Sequence, residues 1–215
     1  VLNAVNPIKR LSASVFGNLA LNDDISLFTE LLYTNRRSNQ IATPGAIGQY
    51  RVVSLAADHP TNPTGQDLVL QRRRLAEAGP RDFFQETDTY RGVLGLQGRF
   101  GEGWEWNTAL NWGRSTGVDG STNVANLQRV ANTLDTALCS NVPGAAIPCA
   151  DYLGYGDVTP EVLDYIMFTS RGTGGNEQKS FTANLSGQVF ELPAGWVGFA
   201  TGVEIRNDRG WRHPD

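Results

Sequence analysis

Apolar and polar residues alternate one for one along six long stretches that fall into three pairs. Tyr90, Gly92, Leu94, Leu96, Gly98 and Phe100 occupy every second position of one stretch, with Thr89, Arg91, Val93, Gln97 and Arg99 between them. Its partner sets Trp104, Trp106, Thr108, Leu110 and Trp112 against Glu105, Asn107, Ala109, Asn111 and Arg114. A period of two is the signature of a strand with unlike faces, and Gly101-Glu102-Gly103 supplies a tight turn, so residues 86–114 predict an antiparallel hairpin. Leu11 to Leu21 and Ile25 to Arg36 make a second hairpin around Asn22-Asp23-Asp24. Lys179 to Phe190 and Trp196 to Arg206 make a third around Glu191 to Gly195.

Strand height narrows the class. Each apolar face persists for about ten residues, which at about 3.3 Å per residue and a barrel's tilt rises on the order of 20–25 Å, close to the apolar band of a transmembrane β-barrel. Soluble sandwiches alternate as well, but their strands average about 5–6 residues. Trp104, Trp106, Trp112 and Trp196 are then candidates for the aromatic belts where membrane meets water.

Two long interruptions separate the hairpins. Residues 37–84 carry Pro44, Pro60, Pro63 and Pro80 and two short strand-like pieces, 49–55 and 68–75. Residues 115–178 carry helical spacing at Leu127, Val130, Ala131 and Leu134, predicting a helix within 123–138. A second helix starts at Thr159-Pro160-Glu161, where Thr caps and Pro takes the first helical position, and Gly172 to Gly175 is read as its stop. Short turns belong to the periplasmic rim of a barrel, so both interruptions are placed outside the cell as loops, 37–84 with a short hairpin and 115–178 with two short helices. Six spanning strands are too few to close a lasting barrel, so residues 1–215 read as a partial barrel domain: all-β, transmembrane and antiparallel.

Composition adds constraints. Hydrophobic residues make up 40% of the 215, and no run approaches the roughly 18 apolar residues a transmembrane helix needs. The net charge of −4 offers nothing to nucleic acid. Only Lys9 and Lys179 are lysines; the arginine bias suits a crowded polar lumen, or reflects genome composition. No signal-peptide pattern is present, and the chain begins at Val1 as if in mid-sequence. Cys139 and Cys149 lie close together in an irregular stretch, which favours a disulfide and an oxidising compartment, with two free buried thiols as the alternative. His59 and His213 are far apart, with no ligand spacing around them, so neither a metal nor another cofactor is expected. No nucleotide-binding or nucleophile motif occurs, and the chain is not expected to be an enzyme. Glu30, Arg36, Arg91, Arg114, Glu204 and Arg206 are assigned to the lumen face, to contact a plug or to line a substrate path. Arg72, Arg73, Arg74, Tyr50, Tyr152 and Tyr155 are loop candidates for ligand contact, with solvated loop surface the plain alternative.

Five segments together resemble the barrel domain of TonB-dependent outer-membrane receptors: ISLFTELLYTNRRS (25–38), RRRLAEAGPRDF (72–83), TYRGVLGLQGRF (89–100), TPEVLDYI (159–166) and FTANLSGQVFELPAGWVGFATGVEIR (181–206). The resemblance implies a 22-stranded barrel in the bacterial outer membrane, occluded by a plug domain absent from these residues. It also implies energy coupling through TonB at a missing N-terminal segment, and uptake of a small molecule or oligosaccharide: a ferric siderophore, a cobalamin-like compound or a carbohydrate. A passive porin and a soluble secreted β-sandwich module are the alternatives.

Overall fold

In the computed structural model, which describes residues 5–49 and 52–215, the chain runs β1 (Ile8–Ala20), β2 (Ile25–Ala42), β3 (Ala46–Ile47), β4 (Val53–Leu55), β5 (Leu68–Leu70), β6 (Arg73–Arg74), β7 (Arg81–Phe100), β8 (Trp104–Ala125), α1 (Leu127–Asn132), α2 (Pro160–Ile166), β9 (Met167–Leu192) and β10 (Gly195–His213). The fold is all-β, with one antiparallel six-stranded sheet in the order β1-β2-β7-β8-β9-β10. The three predicted hairpins are β1–β2, β7–β8 and β9–β10. At the first turn Asn22 Oδ1 accepts the N–H groups of Asp24 and Ile25 at 2.9 and 2.7 Å; at the second, Gly101 and Gly103 take φ of 55° and 77°, a region glycine enters without a Cβ clash.

The strands overrun the hydrophobic pattern. The sheet continues to Ala42, from Arg81, to Ala125 and from Met167, so the two interruptions shrink to 43–80 and 126–166. Over the added length Ile41, Phe83, Phe84, Val118 and Phe168 are scattered among polar residues on both faces, so hydropathy carries no period there although the backbone ladder persists. Gly172–Gly175 lies inside β9 and is not a helix stop; α2 ends at Ile166 because Met167 already pairs with Ala125. Gly175 lies beneath Trp211: a Cβ on it would fall 2.5 Å from the indole and 2.6 Å from the Ser115 carbonyl. The first helix is confined to six residues, with Asn126 accepting the Gln128 and Arg129 N–H groups at 3.0 and 3.1 Å as its N-cap.

Cross-strand register sorts the sheet into rows that share a face. One row reads Leu19, Leu27, Leu96, Thr108, Ala183, Val203; the next reads Gly17, Thr29, Leu94, Leu110, Phe181, Ile205; the next reads Val15, Leu31, Gly92, Trp112, Lys179, Asn207. This apolar face is uncovered, with Leu110 at 60% exposure. Aromatic pairs bracket it. At the turn end Trp104 lies 6.0 Å from Phe100 and 6.3 Å from Phe199, and Trp106 shares the face. At the other end Tyr33 and Tyr90 lie 5.1 Å apart, one row beyond Trp112. Trp196 pairs with Glu191 beside the third turn, next to a register shift between Val197 and Gly198.

The packed interior lies elsewhere. Among the described residues every buried apolar side chain except Val93 belongs to 43–80 or 126–166, where Ile47, Leu55, Leu75, Val130, Val162 and Ile166 form one cluster with Tyr152. The two interruptions therefore fold together as a cap at the end of the sheet opposite the short turns.

Candidate functional site

Two surfaces hold the residues singled out in the sequence: the cap and the polar face of the sheet. In the cap, β4 pairs with β5 and β3 with β6, so the short strand-like pieces do form ribbons. Arg73 then reaches across into the other loop. Its Nε donates to the Tyr152 carbonyl at 2.9 Å, and its terminal nitrogen donates to the Gly154 carbonyl and to Glu77, both at 2.6 Å. Glu77 also accepts the Gly156 N–H at 2.7 Å. The side chains are only 13% and 10% exposed. Burial pushes the Glu77 carboxyl up, but the Arg73 hydrogen bond and the N–H groups of Glu77 and Gly156 outweigh it, holding the group below its usual value of 4.5.

Tyr152 is equally committed. Its hydroxyl meets Thr133 Oγ1 at 3.0 Å, Thr133 in turn donates to the Val130 carbonyl at 2.7 Å, and burial pushes the phenol up to about 12. Arg73 and Tyr152 thus tie the cap together, with their polar groups engaged inside it. Arg74 donates to Thr43 Oγ1 and the Pro44 carbonyl at 2.9 and 2.8 Å, fastening the cap to the end of β2. Arg72 is exposed with a left-handed φ of 52°, and Tyr155 is 87% exposed; these two remain available for contact. Tyr50 lies outside the described residues.

Cys139 and Cys149 are joined in a disulfide. His59, distant in sequence, is 2% exposed beside them, with Nε2 3.6 Å from Cys139 Sγ and 3.2 Å from the Thr133 carbonyl. Nδ1 accepts the Thr61 N–H at 3.3 Å, so Nε2 carries the proton and donates to Thr133. The three ligand-type atoms lie within 4.8 Å of one another, but sulfurs in a disulfide offer no thiolate, and the ring is engaged at both nitrogens, Nδ1 with Thr61 of its own loop and Nε2 with Thr133 of the other. No local spacing announces this cluster, because its members come from two loops.

On the polar face, Arg91 bridges Glu30 at 3.3 Å and Asn111 at 3.1 Å, and Asn111 continues to Ser180 at 3.4 Å. Arg206 pairs with Asp208 at 3.1 Å, which accepts from Gln178 at 2.9 Å. Arg36 donates to Gln85 at 3.1 Å, and Glu204 shares the face opposite Thr182. Arg114 does not. Its register partners are Tyr90 and Glu177, and its guanidinium stacks over Trp211 at 5.3 Å, on the face of Trp112. The reason is parity: position 114 is two beyond Trp112, so the alternation that puts the indole outward puts Arg114 there too.

The arrangement offers hydrogen-bond donors and acceptors along one sheet face beneath a cross-linked cap. No family model, curated protein or solved structure matches the chain.

Proposed function

We propose that the chain is part of the wall of a bacterial outer-membrane β-barrel belonging to a TonB-dependent receptor, which takes up a scarce nutrient from outside the cell. One observation carries the reading: an uncovered apolar face about ten residues tall, bracketed by aromatic pairs, on a sheet whose outer strands β1 and β10 each pair on one side only. In water such a face and such edges are aggregation templates, whereas in a bilayer the face meets lipid and the edges take up neighbouring strands. Short turns at one end and a folded cap at the other match the periplasmic and extracellular rims of such barrels. The polar face, with its Glu30–Arg91–Asn111 chain, is the lumen wall against which a plug would rest. Arg72 and Tyr155 are the cap residues placed to meet a substrate.

A density map of the intact particle in detergent tests this. The expected result is about 22 strands around a filled lumen, with residues 43–80 and 126–166 outside; a smaller, open barrel would favour a passive porin, and a protein soluble without detergent would end the membrane reading.

A further inference from the structure

Above the apolar band, charge is unevenly distributed along the sheet. On β2 and β7, Arg37 is matched by Glu86 at 2.6 Å, with Asp88 beside them. On the same face of β8, β9 and β10, Arg114, Lys179 and Arg209 surround one acid, Glu177, which pairs with Lys179 at 3.1 Å. Arg114 is held in place over Trp211 at 5.3 Å. Directly below these cations the apolar face is hollowed: a groove of about 740 Å³ is floored at Gly92, walled by Leu31, Trp112 and Phe181, and ends at Lys179. The turn end of the same face carries no comparable cations: its residues there are Trp104, Trp106, Leu185 and Phe199.

We infer that this groove is a seat for one phosphate-bearing acyl lipid of the leaflet on the cap's side, its chain lying over Gly92 and its phosphate among Arg114, Lys179 and Arg209. An uncharged apolar partner would use the trough but leave the cations idle, whereas a phosphate matches their net surplus of positive charge and arginine's fork. The absence of a side chain at 92 creates the floor. It is not a backbone requirement, since a Cβ there would meet only Leu31 Cδ2, at an ordinary 3.6 Å.

The inference rests on the membrane reading above, and the test separates the two. The intact protein, extracted in detergent, is offered phosphatidylglycerol or a diacylglycerol with the same chains, and retained lipid is counted by native mass spectrometry. Wild type is expected to retain the phospholipid several-fold better. R114Q/K179Q/R209Q should lose that preference, and Gly92→Leu should lower retention of both lipids by filling the trough. No preference in wild type, or a preference that survives the triple variant, overturns the site while leaving the membrane reading intact. Solubility without detergent overturns both.

Discussion

Arg73 shows how a residue's surroundings decide its role. Three consecutive arginines at 72–74 look alike in sequence, yet one is exposed, one fastens a strand end and one is the nearly buried clamp between two loops. Removing a partner from a buried ion pair leaves an uncompensated charge, so Arg73→Ala should destabilise the cap by about 3 kcal/mol. Arg72→Ala should change stability by less than about 0.5 kcal/mol. Hydrogen exchange at Gly156 and its neighbours, read against the sheet amides, measures both. Because the folded Glu77 carboxyl sits below its unfolded value of 4.5, its contribution is complete above that pH and is lost as pH falls through the lower folded value. Protection of cap amides should therefore weaken selectively on acidification below 4.5, and Glu77→Gln should abolish that dependence.

At the scale of elements, the strands split into a legible part and an illegible one. Where one face is apolar, as from Tyr90 to Phe100, alternation marks the strand; from Arg81 to Gln85, where Phe83 and Phe84 fall on opposite faces among polar residues, nothing marks it except pairing with β2 and β8. The glycines of β9 illustrate the same limit. Gly172 to Gly175 resembles a loop, but Trp211 on the next strand needs the space. Gly175→Ala should cost about 1–3 kcal/mol through overpacking, whereas Gly113→Ala, whose Cβ meets only the Tyr90 carbonyl at 3.9 Å, should be neutral or mildly stabilising; denaturant unfolding distinguishes them. The disulfide was readable from the closeness of its cysteines, but its company with His59 was not. Replacing both cysteines by serine frees a loop of separation 10 and should cost the cap about 2–3 kcal/mol, visible as faster proteolysis between residues 140 and 148.

The whole molecule inverts the usual placement of apolar side chains: the packed cluster lies in the loops and the tallest apolar surface is bare. If that surface faces lipid, Leu110→Arg should cost about 2–4 kcal/mol and depress membrane insertion, while Gln97→Arg on the polar face should be tolerated, as heat-resistant mobility on gels would report. Sequence alone determined the three hairpins, their turns, the all-β class and the two-faced character of the sheet, because those follow from neighbours one or two residues apart. Tertiary structure decided what depends on groups far apart in the chain: how far the strands run once the alternation lapses, the union of two loops into one cap, and the burial of Arg73, Tyr152 and His59. Those outcomes turn on cross-strand register and on hydrogen bonds between separate loops, which no local period encodes.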